Sequence, residues 1–141
     1  MTARLTTLAA TLLIVVASAT TPALEPPQPG KAEQDLKQRA EKRSAAWKTI
    51  LKAREGKTER IQAYAESPDI DYICFHCDLD GPYLFDAKKG TIDSVVLPGA
   101  IHRGTNSITY EKRGDTTVFV FWHIGHEEAT INPLKFEAGS K

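Results

Sequence analysis

The hydrophobic pattern of this chain changes character once, close to Pro68. Upstream, Leu36, Ala40, Trp47, Ile50 and Leu51 recur at three- and four-residue spacing. They sit in a stretch rich in Ala, Lys, Glu, Gln and Arg that holds neither Pro nor internal Gly from Lys31 to about Arg54. That combination predicts a long amphipathic helix with one narrow apolar stripe and a charged, solvated opposite face. Gly56 interrupts the pattern. Thr58 can cap a second short helix carrying Ile61, Tyr64 and Ala65 before Ser67-Pro68 ends it, or one helix can bend at Gly56. Trp47 shares its stripe with Leu36 and Leu51, which marks it as the packing anchor; the other reading is an exposed group for a partner or a membrane surface. As an anchor, its removal would cost about 3–5 kcal/mol.

Downstream the period shortens to two. Asp69 to Phe75, Tyr83 to Asp86 and Thr91 to Leu97 read as short strands, separated by Lys88-Lys89-Gly90 and stopped at Pro98-Gly99. Ser107 to Lys112 places Ile108 and Tyr110 on one face and Ser107, Thr109 and Glu111 on the other. Thr116 to Ile124 (TTVFVFWHI) is apolar on both faces, as a covered central strand must be. Five or six antiparallel strands are expected. The fold class is therefore α+β, with an N-terminal amphipathic helix packed on a small antiparallel sheet or a partly open barrel.

The first residues follow a different logic. Arg4 precedes the apolar run Leu8 to Ala17, and Ala17-Ser18-Ala19 fits a signal-peptidase site. The run is shorter than the roughly 20 apolar residues a spanning helix needs. The expected organisation is a signal peptide over 1–19, a Pro-rich tether over 20–30 and a single domain over 31–141, helical to residue 67 and β-rich over 68–136. The chain would then be exported, periplasmic or secreted, with no transmembrane segment in the mature protein. Formal net charge is zero over 141 residues, which gives the whole molecule no electrostatic preference for nucleic acid. The distribution is uneven: residues 31–57 carry nine Lys or Arg against four Asp or Glu, and residues 58–141 eight against thirteen. Two such halves attract each other, and the basic one can also dock on an anionic partner.

Candidate chemistry concentrates in YICFHCDLDG, residues 72–81, which holds both cysteines, Cys74 and Cys77. Their odd spacing sends the side chains to opposite faces of a regular strand, so a shared site requires a bend between them. In an oxidising compartment the first expectation is a local disulfide pinning such a bend. The second is a metal site of Cys74, Cys77, His123 and His126, a Cys₂His₂ set suited to zinc or copper. The third is a redox dithiol, opposed by the anionic neighbours Asp71, Asp78 and Asp80 and by the lack of a helix starting at Cys74. A c-type haem site is excluded, because Asp78 rather than His follows Cys77. Asp78-Leu79-Asp80-Gly81 lacks the further ligands of a calcium loop. Arg113-Gly114-Asp115 spells an adhesion tripeptide but is also a good hairpin turn. His123 and His126 lie three apart with both glutamates after them, which is not the metalloprotease arrangement. His102 sits in an apparent loop without a partner.

No catalytic residue is assigned. These features point to a small exported binding protein of the cell envelope or exterior, without enzymatic activity or a required cofactor. Its partner would be a protein or small ligand, and inhibition of an enzyme is one form such binding takes. The alternatives are a metal-binding protein using the Cys₂His₂ set and, behind it, a thiol-disulfide oxidoreductase.

Overall fold

The computed structural model describes residues 29–78, 80–97 and 105–138. The expected leader, the tether as far as residue 28, Leu79, the Pro98-Gly99 turn and His102 lie outside the described residues. Helix α1 spans Pro29–Ala53, with a proline at its start, where fixed φ suits a first helical turn. Seven strands follow among the described residues: β1 (Ile61–Glu66), β2 (Tyr72–Cys77), β3 (Pro82–Asp86), β4 (Thr91–Ser94), β5 (Ser107–Arg113), β6 (Thr116–His123) and β7 (His126–Ile131). A 3₁₀ turn, Pro133–Lys135, closes the described chain, capped by the Asn132 side chain, which accepts from the Leu134 N–H.

Every strand pairing is antiparallel and joins strands adjacent in sequence. The first four make one sheet, ordered β1-β2-β3-β4, and the last three a second, ordered β5-β6-β7. The architecture is thus α+β, as the pattern predicts, but the strands form two separate sheets and no closed barrel. β1 and β5 run close to each other at one edge.

The layers follow from the two-residue period of β2. Ile73, Phe75 and Cys77 point to one face and pack with Phe85, Ile70 and the helix residues Ala46 and Ile50. Cys74 points to the other face and packs with Ala63, Leu84, Ile108, Phe119, Phe121 and Ile131. The first sheet is therefore a middle layer, with α1 over one side and the second sheet over the other. Tyr72 apart, β2 is buried throughout. β6 is the central strand of the second sheet, and Val118, Phe119, Val120 and Phe121 are all buried in it.

Two expectations fail for identifiable reasons. Residues 61–66 are a strand, not a second helix. The register of β1 against β2 slips between Ile61 and Ala63, where a bulge inserts one residue. A bulge shifts the alternation by one position, so Ile61 and Tyr64 reach the same side although they stand three apart. That spacing imitates a helical period. The second failure concerns the helix stripe. Ile50 is buried beside Ala46, but Leu36 and Leu51 are 66% and 60% exposed, and Trp47 is half-buried. Residues 30–45 are exposed throughout. Apolar seating is confined to the last two turns of α1, ion pairs hold the turn before them, and the part ahead of Lys42 projects.

What pins α1 besides Ile50 is electrostatic. Asp71 receives Lys42 from the helix and Lys88 from the β3–β4 turn, the latter at 2.6 Å. Lys42 Nζ also donates to the Asp69 carbonyl at 2.8 Å. Ile70 is inserted beneath the helix with a φ of 57°, an uncommon conformation for a β-branched residue. Its N–H donates to the Ser67 carbonyl at 2.9 Å, and Ser67 Oγ accepts from the Tyr72 N–H at 3.0 Å. The loop is over-determined by these bonds, which is how such strain persists.

The seating of α1 sets measurable outcomes. Ile50→Ala should destabilise the fold by about 2–5 kcal/mol, whereas Leu36→Ala and Leu51→Ala should stay within about 0.5 kcal/mol in urea unfolding. Trp47→Ala should now fall below about 3 kcal/mol, since the ring is only half covered. Acid titration supplies a further check. Hydrogen bonds from Lys42 and then Lys88 hold Asp71 below the usual carboxylate range. A carboxylate depressed in the folded state stabilises above its unfolded pKa, and the contribution is lost as pH falls through the folded one. Stability should therefore decline below about pH 4, and Asp71→Asn should flatten that decline.

Candidate functional site

The two cysteines do not meet. β2 runs without a break through Cys77, in regular register with β3, so the bend expected between the thiols is absent. The turn comes afterwards: Cys77 N–H donates to the Gly81 carbonyl at 3.3 Å, and Gly81 adopts a φ of 66°. Both thiols are free and buried, Cys74 between the two sheets and Cys77 beneath the helix layer. Burial pushes the Cys74 thiol far above its ordinary pKa. Burial raises Cys77 as well, against the opposing pull of the Arg54 guanidinium. Thiolate is the reactive form, so both groups are chemically quiet where they stand.

The histidines lie on the other sheet. His123 ends β6 and His126 opens β7, paired across the two-residue turn Ile124-Gly125, in which both φ values are positive. Among the described residues no three His, Cys, Asp or Glu side chains come together in a group that could hold a metal ion. The Cys₂His₂ set is not assembled: its cysteines face opposite layers and its histidines share a hairpin end.

The minor motifs become structural parts. Asp78 and Asp80 belong to the β2–β3 turn, where Asp80 accepts from Arg54 Nη1 at 3.2 Å. Arg54 also reaches Glu59 and lies over the Tyr83 ring, 5.6 Å from its centroid. Arg113 of the adhesion-like tripeptide is folded back on the second sheet. It makes a two-pronged contact with Glu127 at 2.7 and 2.8 Å and a further bond to Glu111 at 3.0 Å. Gly114 supplies the positive φ that the β5–β6 turn needs.

A groove of about 820 Å³ lies where α1 leans over β1. Ala40, Arg43, Ser44, Trp47, Lys48 and Leu51 line it from the helix and Tyr64 from the strand. Trp47 and Tyr64 meet edge to face, with ring centroids 4.8 Å apart and planes at 79°. This geometry suits the opposite charges of ring edge and ring face. Beneath them Glu66 accepts from Trp47 Nε1 at 2.6 Å and from Arg43 Nε, which is 2.8 Å from both carboxylate oxygens. Burial alone would raise the Glu66 pKa, but the Arg43 and Trp47 hydrogen bonds outweigh it and hold the carboxylate below its usual range. The groove floor is therefore fixed, with the aromatic pair held by a charged clamp. Its upper lip is not clamped: Leu51 is largely exposed, and Lys48 has no carboxylate within ion-pairing distance among the described residues.

The sequence pattern puts Tyr64 on the apolar side of a second helix and singles out nothing at Glu66, because both lie on the strand that imitates a helical period. An aromatic and an acid two apart, IQAYAE, share one face only if the segment is extended. Comparisons with known proteins add nothing to this geometry: no protein family, no curated protein and no solved structure matches the chain.

Thiol accessibility provides the check. Under native conditions near pH 8 neither cysteine should react with a maleimide on the timescale of minutes, and both should react at once in denaturant. Fast native labelling of Cys77 would place it outside the buried layer described above.

Proposed function

We propose that this chain is an exported binding protein without enzymatic activity, which engages a partner protein through α1 and the groove between α1 and β1. The observation that carries the reading is the division of α1. Its last two turns are seated, while the projecting part and the groove lip leave Leu36, Leu51 and Tyr64 open to solvent. Large apolar side chains grouped along one helix beside a preformed aromatic pair are a common form of helix-in-groove recognition surface. A fixed floor also lowers the cost of binding, since Trp47 and Tyr64 are ordered beforehand. Export fits the leader-like first residues and places the partner in the envelope or outside the cell. The metal and thiol-redox alternatives lack a comparable observation, because each requires Cys74 to leave the layer between the sheets.

A photo-reactive amino acid placed at Leu36 or Leu51 of the full chain, expressed in the organism that carries it, should yield a discrete protein adduct in the exported fraction. The same group at Leu134, equally exposed but on the far end of the described chain, should not. Equal labelling from all three positions would defeat the reading. The captured chain should itself begin at Thr20, measured by intact mass, if the leader is removed as proposed.

A further inference from the structure

We infer that the occupant of the α1–β1 groove is an acidic amphipathic helix of a partner protein. This rests on the binding reading above and adds the chemistry of the partner. Three observations converge on it.

The first is charge. α1 carries seven Lys or Arg against three Asp or Glu. Two of its cations are already neutralised from within, Lys42 by Asp71 and Arg43 by Glu66. Lys31, Lys37, Arg39, Lys48 and Lys52 are exposed and form no ion pair among the described residues. The attraction between the basic and acidic parts of the chain is thus only partly satisfied inside the molecule. The excess stands on the same helix as the open apolar side chains. On a 100° helical wheel Lys37 and Lys48 fall together on one flank of the line through Leu36, Ala40, Trp47 and Leu51, with the single acid Glu41 beside them.

The second is shape. Leu36, Ala40, Trp47 and Leu51 stand at spacings of four, seven and four residues, which is the stripe that a second helix covers by packing along the first. The stripe from Leu36 to Leu51 extends about 22 Å at 1.5 Å per residue, enough for a partner helix of about four turns. The aromatic pair at the seated end gives such a helix an apolar pocket for one anchoring side chain.

The third is the weakness of the projecting part on its own. It has no acidic residue in its first turn to complement the helix dipole. Ahead of the Lys42 and Arg43 pairs its residues are all exposed, and helical segments of this length are marginal in water without packing. A partner helix would supply the missing packing, so ordering and binding are coupled.

A second copy of this chain fits less well. α1 carries seven cations against three acids, so two copies laid along each other face a net like charge.

The test uses the full chain and two synthetic helical peptides of about 18 residues with the same leucine stripe, one flanked by glutamate and one by lysine. The glutamate peptide should bind, shift the fluorescence of Trp47 in a Trp122→Phe background, and slow hydrogen exchange at residues 31–44. Lys37→Glu with Lys48→Glu should weaken it at least about tenfold while leaving the melting temperature unchanged. Raising salt from about 50 to 500 mM should weaken it in the same direction. Equal binding of the lysine peptide would overturn the acidic identity, and so would binding that leaves α1 unprotected. If neither peptide binds while adducts still form at Leu36 and Leu51, the partner chemistry is refuted and the groove reading survives. If the adducts fail as well, both fall. A dimer detected by sedimentation and broken by Leu36→Asp would assign the groove to a second copy and overturn the inference.

Discussion

The molecule depends on one strand being buried on both sides. A strand offers its side chains to two faces alternately, and β2 fills both with apolar groups: Ile73, Phe75 and Cys77 toward the helix, Cys74 toward the second sheet. Neither core is large. Each is completed only because β2 holds the other in place, and a one-residue slip of β2 would exchange the two sets. The register is fixed from both edges, by β1 through a bulge and by β3 through an unbroken ladder.

That constraint answers the chemical question raised by YICFHC. A pair of cysteines three apart in a short exported-looking chain invites a disulfide or a metal. The same odd spacing, on a strand that must serve two cores, keeps the sulfurs apart. Cysteine is among the most frequently buried residues and packs as a small hydrophobe, so each thiol fills its layer without needing the other. What seemed to be the reactive end of the sequence is its most enclosed part. The exposed chemistry lies elsewhere, on a helix whose pattern promised burial.

How much of this was legible depends on whether local period or long-range pairing decides each element. The helix from Lys31 to Arg54 was readable because its composition and spacing agree. The strands around Tyr83, Ser107 and Thr116 were readable because alternation survives in them. β1 was not, because its bulge converts a period of two into contacts at three. β7 was not, because HEEATI is an edge strand with only Ala129 and Ile131 turned inward. The groove was least legible of all. Trp47 is on a helix and Tyr64 and Glu66 are on a strand nineteen or fewer residues away, and nothing local brings them together. The charge asymmetry between the two halves did foretell the pairs Lys42–Asp71 and Arg43–Glu66, though not which cations would remain unpaired.

The division of α1 follows from the size of the middle layer. Strands of four to six residues make a first sheet about 20 Å long at most, at roughly 3.3 Å per residue. A helix of 25 residues extends about 37 Å. A sheet that short cannot cover a helix that long, so part of α1 must project whatever its sequence. A projecting segment under no functional demand would be expected to turn polar on all sides, because exposed leucine gains nothing from solvent. Leu36 breaks that expectation on the projecting part, and Leu51 continues its line on the outer side of the seated turns, beside an aromatic pair already held by Glu66. The sheet's length explains why the helix protrudes. It does not explain why the protruding face remains apolar, and that residue of unexplained hydrophobicity is the physical ground for reading the face as an interface.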